Sequence, residues 1–331
     1  MPEDLYCTGR GDKLYKEIRA DKLEKIAKDL YGNSTVIIKS ELLKGGLFNT
    51  TYYVKTNGDK YGIVIRLAPV NKRLLFEFEK DMMSAEPIFH QMLHDNNIKT
   101  SKILKYSPLG EVIDREYIVS EYIKSIPMNH PSLKLFPLKS VYREVGAMTR
   151  KMHSITSNKF GWLRKGNDYG MFDTWFGFIS FFGEELAGKL KSNNILEANH
   201  IDRFEEIITA SEDILNEIET PRMTHTDLWQ GNILLSGNGG EYRVAALIDL
   251  DRIIFGDRDW DLATPWMING VFMKGYGEKF NYGRKRRNRM KIYKIINLLF
   301  DCYVSIVEYN DEKKYNKEKK EAIELLRNYN L

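Results

Sequence analysis

The sequence predicts an α+β protein in which an antiparallel sheet with one prominent helix comes first and a mostly helical part follows. Short runs of β-branched and aromatic residues, which are typical of strands, are concentrated before residue 123. After it, apolar side chains recur mainly at helical spacing, over 138–153, 176–190 and 199–218. A chain of 331 residues can bury a large core without disulfides or a structural metal. We therefore expect two lobes, 1–122 and 123–331.

The first lobe is predicted to begin with a helix and to continue as strands. Residues 21–31 have an amphipathic pattern, an Asp21-x-x-Glu24 start and a glycine stop at Gly32, which together indicate a capped helix. We predict the following strands at 36–39, 51–55 and 61–67, with a hairpin turn at Asn57-Gly58-Asp59 between the last two.

One long helix and two further strands complete the first lobe. We predict the helix over roughly 74–93 and the strands near 103–106 and 117–123. In the second lobe, two short strands at 232–235 and 244–248 are separated by a glycine-rich turn, which predicts a hairpin. A cleft between a sheet lobe and a helical lobe is a natural place for a ligand.

The composition argues against several classes of function. The two cysteines, Cys7 and Cys302, lie far apart, and no Cys/His cluster has metal-ligand spacing, which indicates a reduced, cytoplasmic protein. No segment has the pattern of a signal peptide or a membrane span. Residues 284–294 contain seven Lys and Arg side chains, but apolar residues continue through this region at helical spacing. We interpret it as an amphipathic helix with a solvated face and do not expect nucleic-acid binding.

The residues that could carry chemistry are concentrated between 225 and 251. Asp227 lies just before a predicted strand, Asn232 follows five residues later, and Asp249 ends the returning strand. A carboxylate at such a position can accept a proton from a substrate hydroxyl, and amide and carboxylate oxygens are ligands that Mg²⁺ prefers. Each residue alone could simply cap a turn. Their joint spacing favours phosphoryl transfer, in which the protein positions the groups and a metal offsets phosphate charge.

The same stretch resembles the signature of the aminoglycoside phosphotransferase and choline kinase family, whose fold is similar to that of protein kinases. The matching residues are His225-x-Asp227-x4-Asn232, then Ile248-Asp249-x7-Asp257-x3-Asp261-Leu262-Ala263. The resemblance implies a two-lobed, protein-kinase-like fold that binds ATP in the first lobe. It also implies that Asp227 is the catalytic base and that Asn232 and Asp249 bind Mg²⁺.

The resemblance gives supporting roles to three further residues. It implies that His225, Asp257 and Asp261 brace the catalytic and metal loops. The family usually has Gly or Asn between the histidine and the catalytic aspartate, whereas this chain has Thr226. This departure leaves the implied roles unchanged.

Two features of the first lobe indicate phosphate binding. The turn Gly45-Gly46-Leu47-Phe48-Asn49 lies between predicted strands, where glycines let backbone N–H groups approach a phosphate. We expect Gly45, Gly46 and Asn49 to contact the nucleotide. Arg66 follows on the third strand, at the position where a kinase carries the lysine that holds the α and β phosphates. Arginine keeps the charge and adds a planar fork, although an outward-facing strand arginine is the alternative.

An acidic partner for Arg66 is expected on the following helix. The candidates are Glu77, Glu79 and Glu86. The resemblance favours Glu86. At the end of the last strand of the lobe, Ser120 and Tyr122 occupy the position of the kinase hinge, whose backbone groups bind adenine; this assignment depends on position alone.

Three functions are compatible with these residues. We favour an ATP- and Mg²⁺-dependent kinase that phosphorylates a hydroxyl of an aminoglycoside-type or cyclic-peptide antibiotic and would confer antibiotic resistance. The second keeps the chemistry but acts on a metabolite such as a ketosamine, an amino alcohol or a sugar. The third is a non-catalytic protein that binds ATP or nucleic acid on the same fold, for which 284–294 is the only feature.

A polycationic acceptor is expected to require acidic side chains around it. The second lobe offers Asp168, Asp173, Glu184 and Glu185 near Trp175 and Phe176. The aromatic residues of 169–182 would suit the walls of an acceptor site, but at helical spacing we interpret them as core.

Overall fold

The computed structural model describes residues 14–43, 48–163, 171–239, 241–263, 267–280 and 282–330. It has the predicted α+β architecture, with an antiparallel sheet in the N-terminal part and mainly helices in the C-terminal part. None of the described helices is long and apolar enough to cross a membrane.

The N-terminal sheet consists of β1 (Ile37–Leu42), β2 (Thr50–Thr56), β3 (Ile63–Leu67), β4 (Ile103–Ser107) and β5 (Tyr117–Glu121). The strand order is β1-β2-β3-β5-β4, and every neighbouring pair is antiparallel. The helix α1 (Ala20–Tyr31) precedes the sheet. It stops at Gly32 as predicted, but its N-cap is Arg19 without a side-chain cap, because Asp21 binds the Arg19 side chain instead.

The alternation of side chains along β3 decides which way Arg66 points. Ile63 and Ile65 are buried and pack with Ile26 of α1. Since successive side chains of a strand point to opposite faces, Arg66 points away from α1. On that side lies α2 (Met82–Asp95), which supplies an ion-pair partner to Arg66.

The chain between β3 and α2 differs from the prediction. The pattern predicted a helix from residue 74, but α2 begins at Met82, after a 3₁₀ turn at Phe78–Lys80. Phe76 and Phe78 are both buried in one cluster with aromatic residues of the C-terminal part. An α-helix would place residues two apart on opposite sides, so it could not bury both there. We call residues 72–80 the strap.

The C-terminal part is mainly helical, as predicted. Its helices are α3 (Lys139–Met152), α4 (Trp175–Ser192), α5 (Ala198–Thr209), α6 (Glu212–Leu215), α7 (Asp259–Ala263), α8 (Gly270–Tyr276), α9 (Arg284–Tyr303) and α10 (Glu312–Arg327). Helices α4, α5, α9 and α10 contribute to one large apolar cluster, while α3, α8 and the inner face of α2 contribute to another.

Short strands position two polar loops side by side. They are β6 (Ile126–Pro127), β7 (Phe160–Gly161), β8 (Met171–Phe172), β9 (Arg222–Thr224), β10 (Ile233–Asn238), β11 (Glu241–Leu247) and β12 (Ile254–Gly256). Strands β10 and β11 form the predicted hairpin, and β9 pairs with β12. The loop 225–232 joins β9 to β10, and the loop 248–253 joins β11 to β12. The two strand pairings therefore hold these loops next to each other.

Candidate active site

Asp227 lies in the loop between β9 and β10, where Asn232 and His225 hold it. The amide Nδ2 of Asn232 donates to Asp227 Oδ2 (3.0 Å) and to its backbone oxygen (2.9 Å). His225 Nδ1 accepts from the Asp227 N–H (3.3 Å), and Nε2 lies 3.2 Å from the Ile248 carbonyl oxygen. Because Nδ1 accepts, Nε2 carries the proton and donates. His225 therefore ties the Asp227 loop to the strand end that precedes Asp249.

The buried carboxylate of Asp261 fixes the turn before Asp227. It accepts hydrogen bonds from the backbone N–H groups of His225 (2.9 Å) and Thr226 (2.7 Å) and contacts His153 Nε2 (3.0 Å). Burial alone would raise the pKa of Asp261, but the hydrogen bond from His153 and the nearby His225 lower it. An ionised acceptor strengthens its bonds to backbone N–H groups, so the turn is held firmly.

Asp257 contacts a different part of the molecule. Its carboxylate accepts from the Tyr293 hydroxyl (2.7 Å), from Arg289 Nε (3.3 Å) and from the Asp259 N–H (3.0 Å). Asp257 thus anchors α9 and the start of α7. The resemblance implies that Asp257 braces the catalytic and metal loops, whereas these partners belong to α7 and α9.

Asn232 and Asp249 are brought close together. The Ile248 N–H donates to the backbone oxygen of Asn232 (3.0 Å), which places Asp249 beside it. Asn232 uses Nδ2 to hold Asp227, and no hydrogen bond from a described residue reaches its Oδ1. The Asp249 side chain is 41% exposed. An amide oxygen and an accessible carboxylate are a donor set that fits Mg²⁺.

Arg66 lies among three carboxylates. Its Nη2 forms an ion pair with Glu86, its Nη1 is 3.1 Å from Asp249 Oδ1, and Nη2 is also 3.3 Å from Asp251 Oδ2. Burial would lower the pKa of Arg66, but the neighbouring carboxylates, Glu86 foremost, raise it. Arg66 is therefore a permanent cation next to the proposed metal ligands.

The other two glutamates considered for Arg66 have different partners. Glu79 accepts from Arg252 Nη2 (3.1 Å), and Glu77 forms an ion pair with Lys80. Pro87 lies inside α2 and does not end the helix. Glu86 is therefore held on α2, where it pairs with Arg66.

Burial raises the pKa of two acids in this region. For Asp227, burial is the main cause, and the charge of Asp249 adds to it while Arg252 offsets part. For Asp251, burial and then the charge of Asp249 raise the pKa to about 8. A general base works best when its pKa lies near the working pH, so the direction of the Asp227 shift suits proton transfer.

The residues predicted to contact the nucleotide are placed on the Arg66 side of the sheet or outside the described part. Gly45 and Gly46 lie outside the described residues. Asn49 is buried and lines a small cavity together with Asp251. Ser120 is opposite Val64 in the ladder and so shares the face of Arg66. The Tyr122 N–H donates to the Gly62 carbonyl oxygen (3.2 Å), so an adenine contact would use another backbone group of Tyr122.

A cavity of about 70 Å³ lies directly beside Asp227. Its aromatic walls are Phe78, Trp162, Phe178, Phe182, Trp260 and Phe300. Its polar lining residues are Thr226, Asp227, Arg252, Asn297 and Asp301. Burial raises the pKa of Asp301 to about 7, and no described residue forms a hydrogen bond or ion pair with its carboxyl group. The cavity can receive an acceptor whose hydroxyl faces Asp227.

Sequence reasoning missed most of this cavity. The helical spacing predicts that Phe178 and Phe182 are core, and they are both core and cavity wall. Phe78 and Asp301 are more than two hundred residues apart, so only the tertiary structure shows that they share a site. Arg252 could have been recognised from the sequence, because it directly follows Asp249-Leu250-Asp251.

Those of the acids predicted around the acceptor that the structure describes lie elsewhere. Asp173 pairs with Lys159 (3.1 Å), and Glu185 accepts from the Glu77 N–H (2.7 Å). Neither these residues nor Glu184 line the cavity. Asp168 lies outside the described residues.

The sequence of the chain matches known phosphotransferases. A model of the phosphotransferase enzyme family matches residues 39–293. The chain is 25% identical to a protein of Enterococcus faecium named "Probable ketoamine kinase", over 84% of this chain and 92% of that protein. It is 22% identical to a "Probable ketoamine kinase" of Vibrio parahaemolyticus, over 78% of this chain and 84% of that protein.

Solved structures share the fold. A "Putative fructosamine-3-kinase" from Haemophilus somnus aligns with a TM-score of 0.66 and 18% identity, over 92% of this chain and 95% of the other. The aminoglycoside phosphotransferase APH(4)-Ia, in a ternary complex with ADP and hygromycin B, aligns with a TM-score of 0.67 and 16% identity, over 92% and 98%. The chain therefore belongs to the phosphotransferase enzyme family and is an ATP-dependent small-molecule phosphotransferase with a protein-kinase-like fold.

Proposed function

We propose that this enzyme transfers the γ-phosphate of ATP to a hydroxyl of a small metabolite, and that the metabolite is a ketoamine. The observation that carries the proposal is the position of Asp227, which lines the aromatic cavity and is tied through His225 to the strand end that precedes Asp249. Asp249 in turn contacts Arg66. An acceptor in the cavity and a nucleotide near Arg66 would meet at Asp227.

The catalytic roles follow from charge and hydrogen bonding. Asp227 orients the acceptor hydroxyl and accepts its proton as the hydroxyl oxygen attacks the γ-phosphorus and the bond to the β-phosphate oxygen breaks. Asn232 fixes the Asp227 carboxylate for this task. Arg66, held by Glu86, binds the α and β phosphates.

Asn232 Oδ1 and the exposed carboxylate of Asp249 would hold Mg²⁺. When bound, the ion offsets negative charge on the phosphates. Arg66 contacts both Asp249 and Asp251, so its guanidinium offsets the negative charge of the carboxylates beside the proposed metal site.

The lining of the cavity favours a metabolite over an antibiotic that carries many positive charges. Among the described residues, the carboxyl groups of the lining are those of Asp227 and Asp301, and Arg252 adds a positive charge. One acid with aromatic walls suits a compound with one protonated nitrogen and apolar surface, because a cation is attracted to both. A polycationic aminoglycoside would need more acids than the described part of this lining supplies. The names of the relatives point to the same class, since a ketoamine carries one amino nitrogen next to a sugar-derived chain of hydroxyls.

The test is acceptor-dependent ADP release by the purified enzyme with ATP and Mg²⁺. The panel contains ketoamines, amino alcohols, sugars, aminoglycosides and cyclic-peptide antibiotics. We expect turnover with ketoamines and a loss of about a hundredfold or more in kcat for Asp227→Asn, because the variant lacks the general base. Asp213→Asn, a change at an exposed position of α6, is the matched control. Turnover with an aminoglycoside and none with a ketoamine would overturn the choice of acceptor.

A further inference from the structure

Phe78 closes the acceptor cavity from outside the C-terminal part. Its ring stacks on Trp162 with centroids 4.4 Å apart and planes 2° apart, and it meets the Phe182 ring edge-on at 5.8 Å. The other aromatic walls come from residue 162 onward. Next to Phe78, Glu79 accepts a hydrogen bond from Arg252, which also lines the cavity. The strap is therefore part of the acceptor site although it belongs to the N-terminal half of the chain.

The strap is fastened to the C-terminal part by side chains that bind its backbone. Lys189 Nζ donates to the Leu75 carbonyl oxygen (2.8 Å), and the Tyr303 hydroxyl donates to that of Leu74 (2.7 Å). Apart from the 3₁₀ turn, the strap forms neither helix nor strand. Side chains of α4 and α9 thus hold the strap, and with it Phe78, against the C-terminal part.

The cavity is partly open to solvent, so an acceptor can extend out of it. Phe78 packs in the same apolar cluster as the walls from α4 and α9, and it is the wall that the strap contributes. The size of its ring therefore limits the space between the aromatic walls.

We propose that Phe78 is a specificity-determining residue: its ring forms one wall of the acceptor cavity and sets the size of the group attached to the acceptor nitrogen. The inference rests on the proposed function and assigns the acceptor selection to a residue of the strap. Removing ring volume at position 78 enlarges the cavity directly, while the nucleotide site around Arg66 keeps its contacts.

The test uses ketoamines made from one sugar and three amines of increasing size: glycine, leucine and tryptophan. The variants are Phe78→Leu and Phe78→Met, which both remove ring volume; the flexible Met side chain can repack and so guards against misfolding. The matched control is Phe76→Leu. Phe76 belongs to the same strap and packs on Phe182 and Phe300, but it does not line the cavity.

We expect Phe78→Leu and Phe78→Met to shift the ratio of kcat/KM for the tryptophan compound over the glycine compound by about tenfold or more, as for other pocket changes of this size. The KM for ATP should stay within about twofold. Phe76→Leu should leave the ratio unchanged. Equal shifts in Phe76→Leu and the Phe78 variants would overturn the inference alone, since they would reflect a loosened strap. Lack of turnover of every compound by the wild-type enzyme would overturn the proposed function and the inference with it.

Discussion

Thr226 and Asp249 flank the proposed chemistry and both have left-handed backbone conformations, with φ of 65° and 62°. Such conformations cost a residue other than glycine roughly 1 kcal/mol or more. Thr226 persists there because its hydroxyl donates to the Arg252 carbonyl oxygen (2.9 Å) and its N–H to Asp261 (2.7 Å). The positive φ also gives a physical reason for the Gly or Asn that the family resemblance implies at this position.

Asp301 leads to a prediction about stability and pH. The groups that act on its carboxyl are Lys314, Glu318, Arg252 and Asp227, but burial is the largest effect and raises the pKa to about 7. Between about pH 4 and pH 7 the folded state keeps a proton on Asp301 that the unfolded state has lost, so the stability contributed by this group falls as pH rises through that window.

Asp301→Asn removes this ionisation. We expect the variant to gain stability relative to wild type as pH rises from 4 to 8, by about 1 kcal/mol or more, since one pKa unit is worth about 1.4 kcal/mol. The measurement is urea unfolding at several pH values, with Asp213→Asn as the exposed control. A stability difference that does not change with pH would contradict the prediction.

The candidate site shows what a sequence can reveal at the level of residues. Asp227, Asn232 and Asp249 could be named because they flank one hairpin, so their spacing along the chain nearly fixes their spacing in space. Phe78 and Asp301 could not, because nothing local distinguishes them from buried or helical residues elsewhere. Their proximity depends on how the strap and α9 pack.

At the level of elements, the strap is the segment whose secondary structure the hydrophobic periodicity predicts wrongly. Apolar residues between 74 and 93 fit one long helix, and the part from Met82 onward is helical. The strap is not helical. Burial of Phe76 and Phe78 against Phe182 and Phe300 stabilises the protein more than helical hydrogen bonds would there, so tertiary contacts override the local helix pattern. The sheet strands were predicted well because runs of β-branched and aromatic residues are a local signal of a strand.

The crossing of α3 and α8 leads to a prediction about packing. A side-chain carbon at Gly275 would lie 1.9 Å from the Arg143 carbonyl oxygen, and one at Gly146 would lie 2.2 Å from that of Phe272. The two helices can approach only because these positions are glycine. We expect Gly275→Ala to lower the free energy of unfolding by about 2 kcal/mol or more through overpacking.

Gly188→Ala is the matched control for Gly275→Ala. Gly188 is also helical and exposed, and nothing lies within 4 Å of an added carbon. This change should raise the free energy of unfolding by about 0.5–1 kcal/mol, because alanine favours the helix. Urea unfolding of both variants measures the difference, and equal effects would show that the α3–α8 crossing is not close-packed.

At the scale of the whole molecule, the basic segment 284–294 is largely neutralised by the fold. It forms the first half of α9 as predicted, and its cations meet carboxylates of other elements. The pairs are Arg286 with Asp259, Arg289 with Asp257 and Glu217, Lys285 with Glu217, and Lys294 with Glu321. Arg286 also lies 3.9 Å from the centre of the Phe280 ring. This surface therefore holds α9 to its neighbours.

The pairing predicts that the protein does not bind nucleic acid, although its net charge is +4. Among the cations of 284–294, only Arg284, Arg287 and Lys291 form no ion pair with a described residue, too few for a stripe that tracks a phosphate backbone. In fluorescence anisotropy at roughly 50 mM salt, labelled DNA and RNA should show no binding up to about 10 µM protein, a range that detects many non-specific binders. Binding that weakens with salt and disappears when these three residues are changed to Gln would prove the opposite. In that case the cations of α9 would form a second surface, independent of Asp227, and Asp227→Asn would leave the affinity unchanged.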